Sequence, residues 1–149
     1  MSTDGTVEQI AIATRHPELP APVPSVRAEA GYGLEGEYHW SATPEPGQNL
    51  TLIAAEALEA LREDTGIALS HEASRRNVLT RGIDLNALVG RRFTVGGVEC
   101  EGVELCEPCN SLAKLTERGV LRGLVHRGGL RADIVAGGEI AVGDPVRAA

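Results

Sequence analysis

Arg92-Phe93-Thr94-Val95-Gly96-Gly97-Val98-Glu99-Cys100-Glu101-Gly102-Val103-Glu104-Leu105-Cys106-Glu107-Pro108-Cys109 carries the decisive pattern of the chain. Two β-type runs, Arg92 to Val95 and Val98 to Leu105, flank Gly96-Gly97, a two-residue hairpin signal. The second run ends at Cys106-Glu107-Pro108-Cys109, and Asn110 to Glu117 then reads as a short amphipathic helix. A thiol at that junction meets unpaired backbone N–H groups and the positive end of a helix dipole, which lower its pKa from a free value of about 8.5. A thiolate there is a nucleophile, a sulfur carrier or a soft-metal ligand. The alternative is a pair of small buried residues at a strand end, because free cysteine packs as a small hydrophobe.

Outward from this stretch, the same punctuation recurs. Val7 to Ala13 reads as a first strand, and Pro17, Pro20, Pro22 and Pro24 hold the chain irregular until Val26 to Ala30 pairs again. Gly31, Gly33 and Gly36 lead through a loop to Glu37-Tyr38-His39-Trp40, allowing tight turns or a close approach of backbone to ligand. Leu50 to Ile53 is strand-like, Ala54 to Glu63 helical with Gly66 as its stop, and Leu85 to Leu88 a short helical piece. Ala132 to Val135 and Glu139 to Val142 flank Gly137-Gly138 as a second expected hairpin, and a last short strand falls at Val146. Many short strands with few helices indicate a compact, mainly β (α+β) fold, barrel-like, in one domain over residues 1–149.

Composition limits the function. At 149 residues the chain can bury a real core without a disulfide framework, and three cysteines are an odd count. Met1 to Gln9 has neither a basic start nor an apolar run, so the expected location is the reducing cytoplasm. No apolar stretch approaches the roughly 20 residues of a membrane span. A net charge of −7 argues against nucleic acid as a partner. Thirteen of the fourteen basic residues are arginine and most lie in the second half, a distribution that favours a small anionic ligand or reflects composition alone. His71 and His126 lack zinc-ligand spacing. Lys114, the one lysine, reads as a solvated helix residue, which makes a Schiff-base cofactor an unpromising reading.

In order, Gly33-Leu34-Glu35-Gly36, Thr51-Leu52-Ile53, Arg75-Arg76-Asn77-Val78, Gly82-Ile83-Asp84-Leu85, Cys106-Glu107-Pro108-Cys109, Arg127-Gly128-Gly129-Leu130 and Ile140-Ala141-Val142-Gly143-Asp144 resemble the MOSC domain, the C-terminal domain of molybdenum cofactor sulfurases. The resemblance runs from about Val7 to Val146. It implies a barrel-like β fold, a pterin-based molybdenum cofactor (molybdopterin), and one cysteine, matching Cys109, that ligates molybdenum or carries sulfur. Cys106 matches a position of lesser functional weight, and Cys100 is expected in the core. Arg75 would hold the cofactor's phosphate, and Asn77 would contact the pterin or fix the loop. Arg76, placed in a strand, is expected on the opposite face as a surface charge. Gly36 would bring backbone to the cofactor, while Gly128 and Gly129 would wrap it or simply turn the chain.

The chain departs from the family at Gly36-Glu37-Tyr38-His39, where members commonly read Gly-Asp-Arg-His. Tyr38 in place of that arginine weakens or reshapes an anion site, and His39 is either a proton donor or substrate contact or an ordinary loop residue. Three functions follow from the resemblance. One is a molybdenum oxidoreductase that reduces small N-hydroxylated compounds and takes electrons from an external donor. A second is a sulfur carrier charged as a Cys109 persulfide by a cysteine desulfurase. The third is a non-catalytic module with a decayed site.

Overall fold

The computed structural model describes residues 4–107 and 123–149. Cys109, Lys114 and the helix expected over 110–117 lie outside the described residues. Strands β1 (Asp4–Ile12), β2 (Ala21–Val23), β3 (Ser25–Glu29), β4 (Gly33–Leu34), β5 (Leu50–Ala54), β6 (Val78–Arg81), β7 (Arg92–Val95), β8 (Val98–Leu105), β9 (Leu130–Ala136), β10 (Gly138–Ala141) and β11 (Pro145–Ala148) dominate. Helices α1 (Ala55–Thr65) and α2 (His71–Ser74) and a 3-10 turn over Leu85–Leu88 complete the described elements.

One sheet runs β11-β7-β8-β9-β5-β6-β1-β2, and an extra β11–β1 pairing, Asp4 opposite Arg147, closes seven strands into a barrel. Closure removes the free edges that an open sheet would expose. Alternation along β8 sends Val98, Cys100 and Gly102 inward, while Glu99 and Glu101 face out and pair with Arg92 at 3.1 and 2.7 Å. Inside lie Ile10, Leu50, Leu52, Val78, Phe93, Leu130 and Val146, all fully buried. The β5–β6 pair is parallel, so the chain must cross over between them, and α1 and α2 supply the crossover. Gly66 ends α1 in the left-handed conformation at φ 77°, as its place in the sequence predicts.

The proline-rich stretch expected to stay irregular contains β2, paired with Ile10 to Ile12 of β1, and two further expectations need correction. β9 and β10 do not form a hairpin across Gly137-Gly138: β9 pairs with β8 and β5, whereas β10 pairs with β3 in a separate three-stranded sheet, β10-β3-β4. At Gly137 the backbone passes close to β3, and a Cβ there would stand 2.6 Å from the Ala28 carbonyl oxygen. The glycine marks a crossing of one strand over another instead of a turn. The second correction concerns Arg75-Arg76, which precede β6 instead of lying in a strand. Arg75 caps α2 at φ 63°, and Arg76 is buried with 8% exposure.

Candidate functional site

The end of β1 organises the candidate site. Ala13, just beyond that strand, is buried, and its backbone holds the 34–40 loop at two points. Its N–H donates to Glu37 Oε2 at 2.7 Å, and its carbonyl accepts the Tyr38 N–H at 2.9 Å. Gly36, at φ 86°, makes the bend that brings Glu37 there. The other Glu37 oxygen lies 2.7 Å from His39 Nδ1, and the carboxylate is only 4% exposed while the His39 side chain is 45% exposed. An ionised carboxylate only accepts, so Nδ1 carries the proton that faces Glu37. Buried carboxylate and half-exposed imidazole thus form an oriented acid–base pair. Glu37 was missed in the sequence, where only its spacing in Glu37-Tyr38-His39 signalled it.

Tyr38 packs its ring 4.0 Å from that of His39 and 5.9 Å from that of His16. Burial, and then the nearby Glu37 charge, push the Tyr38 phenol above its ordinary pKa, and the positive charge of Arg75 opposes both. The phenol therefore remains a donor at neutral pH. Arg75 donates from its two terminal nitrogens to the Pro17 and Glu18 carbonyls at 2.6 and 3.0 Å, while its Nε–H meets no acceptor among the described residues. Arg75, Tyr38 and His39 are thus gathered beside one turn, residues 13–18.

Asn77 faces inward. Its Oδ1 accepts from the Thr51 N–H and hydroxyl at 3.2 and 3.1 Å, and its Nδ2 donates to the Ala11 carbonyl at 3.3 Å. Those bonds tie β1 to β5 ahead of β6. Gly129 is likewise committed: at φ 109° it lies so close to β5 that a Cβ would overlap the Leu52 carbonyl oxygen. Gly128 gives its carbonyl to the Arg76 Nε–H at 2.7 Å.

Arg76, expected from the sequence as a surface charge, instead spans the region. Besides Gly128, it donates to the Cys106 carbonyl at 3.0 Å and to that of Ser74 at 3.3 Å. The end of β8 and the start of β9 are thereby held together, reinforced by the Cys106 N–H donating to the Gly129 carbonyl at 2.7 Å. Cys106 is buried at 2% exposure. Cys100 sits inside the barrel as expected, and burial followed by the Glu99 charge pushes its thiol up to about 12. Such a thiol carries almost no thiolate at neutral pH.

His71 is buried at the start of α2, with Nδ1 3.0 Å from Gln9 Oε1, and desolvation lowers its pKa. A second cleft, of about 330 Å³, lies between α1, the 82–86 turn and residues 126–129, and Gly129 forms part of its wall. Among the described helices, none is long and apolar enough to cross a membrane.

Comparison with known proteins follows this geometry. The YuaD protein from Bacillus subtilis has a similar structure, with 16% identity over 97% of this chain and 95% of that one and a TM-score of 0.87. YiiM from Geobacillus stearothermophilus is similar at 15% identity, covering 97% and 75% of the two chains with a TM-score of 0.75. YiiM from Escherichia coli gives 17% identity, 97% and 69% coverage and a TM-score of 0.69. At these identities the likeness shows the fold alone. Sequence comparison with curated proteins gives no match. The MOSC domain profile matches residues 39–147, starting at His39 and taking in Arg75 to Val78, Cys106 to Cys109 and Arg127 to Leu130, but leaving out the Gly33 to Gly36 block. With most of its length matched, the chain belongs to the MOSC domain family.

Proposed function

We propose that this domain binds a pterin-type molybdenum cofactor and reduces a small N-hydroxylated compound, with Cys109 as the metal ligand and His39 as the proton-transferring group. The observation that carries the reading is the Glu37–His39 pair, a half-exposed imidazole whose Nδ1 lies 2.7 Å from a buried carboxylate. The chemistry of the neighbouring donors fits the anionic end of such a cofactor. Arg75 offers a charged Nε–H, Tyr38 a protonated phenol and His39 a ring nitrogen, all directed by the loops around residues 13–18. Asn77, Gly128 and Gly129 would serve indirectly, by holding the strand ends.

When bound, the cofactor supplies two-electron chemistry, and the thiolate of Cys109 suits a soft metal centre. Reduction of an N–O bond consumes two electrons and two protons and releases water; the electrons come from an external donor. His39 delivers one of those protons, and Glu37 stabilises the imidazolium while His39 holds it. The protein works in the cytoplasm on this reading.

A second reading is favoured by one observation. Tyr38 stands where family members carry arginine, and two nitrogens of Arg75 already serve the protein's own carbonyls, so the grip on a phosphate is lighter than the family pattern implies. A sulfur carrier, with a Cys109 persulfide loaded by a cysteine desulfurase, needs no such grip. Metal analysis by mass spectrometry, with pterin fluorescence after oxidation, separates the readings when wild type and Cys109→Ala are produced in a host that makes the cofactor. About one molybdenum per wild-type chain, lost or labile in the variant, supports the oxidoreductase. An adduct of about 32 mass units on Cys109 without molybdenum supports the carrier. Neither would leave a non-catalytic module.

A further inference from the structure

Aromatic residues are scarce in this chain: one Phe, one Trp and two Tyr. Phe93 is buried in the barrel, and the other three all lie in the 32–40 segment. Tyr32 and Trp40 stack face to face, with ring centroids 5.1 Å apart and planes 15° off parallel. Both stay substantially exposed, at 39% and 41%. A Cβ added to Gly33, at φ 138°, would stand 3.3 Å from the Trp40 Cα, so the chain next to Tyr32 runs close to the chain that carries Trp40. A rigid aromatic pair left open at the surface marks a recognition site more often than a packing error.

Trp40 and Tyr38 form one side of a cleft of about 510 Å³ whose remaining lining is Glu29, Glu35, Gly36 and Glu37. Glu37 is committed to Ala13 and His39. The carboxylates of Glu29 and Glu35 make no ion pair or side-chain hydrogen bond among the described residues, and neither does Arg27, which shares the outer face of β3 with Glu29. Glu29, Glu35, Tyr38 and Trp40 therefore line the same opening, and Tyr32, outside that lining, bears on it through its stack on Trp40.

We propose that this cleft binds small organic cations, an ammonium or guanidinium group carried on a compact apolar body. Ring quadrupoles attract a cation placed over their faces, and the Glu29, Glu35 and Glu37 carboxylates outnumber the neighbouring Arg27 guanidinium, leaving a net negative field at the opening. Inorganic cations hold their hydration shell more tightly and gain little from the rings. The proposal goes beyond the cofactor reading and does not require it, although a ligand seated against Trp40 would lie next to His39 in the sequence and on the same loop.

Trp40 is the sole tryptophan, so its emission reports occupancy directly. Choline is the probe, and its neutral isostere 3,3-dimethylbutan-1-ol is the control. Choline should give a saturable change in Trp40 emission and in the Gly36 amide resonance, with a Kd on the order of 1–10 mM. The isostere should bind at least about fivefold more weakly, and a Glu29→Gln/Glu35→Gln double variant should lose roughly five- to tenfold in choline affinity. Both substitutions are at unpaired surface-facing carboxylates, and far-UV circular dichroism checks that the fold is kept. Equal binding of choline and the isostere, an unchanged affinity in the double variant, or no saturable change in either signal up to about 100 mM would each overturn the proposal.

Discussion

Replacing Arg76 with alanine should cost this protein about 3–5 kcal/mol, an effect that treating the residue as a surface charge would put near zero. Arg76 is 8% exposed, and its guanidinium donates at 2.7 Å to the Gly128 carbonyl, 3.0 Å to that of Cys106 and 3.3 Å to that of Ser74. Hydrogen bonds from a charged donor contribute about 1.5–3 kcal/mol each, and the longest of the three falls at the bottom of that range or below. Water entering the space left by the side chain recovers part of the loss, which sets the lower limit. At about 2–4 °C per kcal/mol for a domain of this size, the melting temperature should drop by roughly 10–15 °C. Arg76→Lys keeps the charge but replaces a planar fork by a single ammonium that cannot span Gly128 and Cys106 together, and should recover about half. Urea unfolding with an unchanged m-value measures the loss, and hydrogen exchange at the Cys106 amide, which donates to the Gly129 carbonyl, localises it. An alanine variant within 1 kcal/mol of wild type, or a lysine variant equal to wild type, would refute the clamp.

Other outcomes follow from single residues. Glu37→Gln replaces one of the two carboxylate acceptors by an NH2 donor, so either the Ala13 N–H or the His39 ring loses its acceptor. Nitrogen NMR of the imidazole should show the Nδ1–H tautomer in wild type and a mixture in the variant, with about 1–3 kcal/mol lost in stability. Gly129→Ala should abolish soluble folding, because its Cβ overlaps the Leu52 carbonyl oxygen at a strained φ. Gly36→Ala, whose Cβ meets only Ile12 Cδ1 at 3.5 Å, should cost about 1–2 kcal/mol. Cys100 should resist a thiol reagent at pH 8 until the protein is unfolded. Its folded pKa is raised from 9.0 to about 12, so its stabilising contribution is intact below pH 9.0 and drains away as pH rises towards 12. Cys100→Val should flatten that alkaline limb.

Period and punctuation carried most of the barrel in the sequence, where a strand declares itself locally, but not β2, which lies in the proline-rich stretch read as irregular and is set by its pairing with β1. Val98 to Leu105 alternates in residue type as it alternates in space, and Gly66 and Gly96-Gly97 stop the chain where the structure turns. What pairs with what is a long-range property, and there the reading failed. Gly137-Gly138 has the composition of a hairpin turn but serves a crossing over β3, a fact held in the position of Ala28 more than a hundred residues away in sequence. The site shows the same division. The bend at Gly36 was legible because a glycine can take the positive φ of 86° that the loop requires there. Arg76 was not legible, since its burial depends on α2 ending at Ser74 and on two carbonyls that the barrel delivers from β8 and β9. Glu37 looked like one acid among many until Ala13 gave it a buried partner.

Whether Arg75, Tyr38 and His39 act as one donor set can be read from a single phenol. The Tyr38 pKa is raised by burial first and by the Glu37 charge second, and lowered by the Arg75 charge. A positive neighbour favours the phenolate and a negative one opposes it, so the two substitutions must move the titration in opposite directions. Arg75→Gln should raise the Tyr38 pKa further, and Glu37→Gln should lower it. Burial remains in both variants, so neither should bring the phenol back to its ordinary value of 10.0. Only Tyr32 competes in the absorbance of tyrosinate near 295 nm, and a Tyr32→Phe background leaves Tyr38 as the sole signal. High salt should shrink both shifts without abolishing them, because the groups are partly buried. If Arg75→Gln left the titration unmoved, the Arg75 charge would not reach the phenol. The cation expected to grip an anionic cofactor would then lie outside the His39 loop, and sulfur transfer through Cys109 would become the better account of this chain.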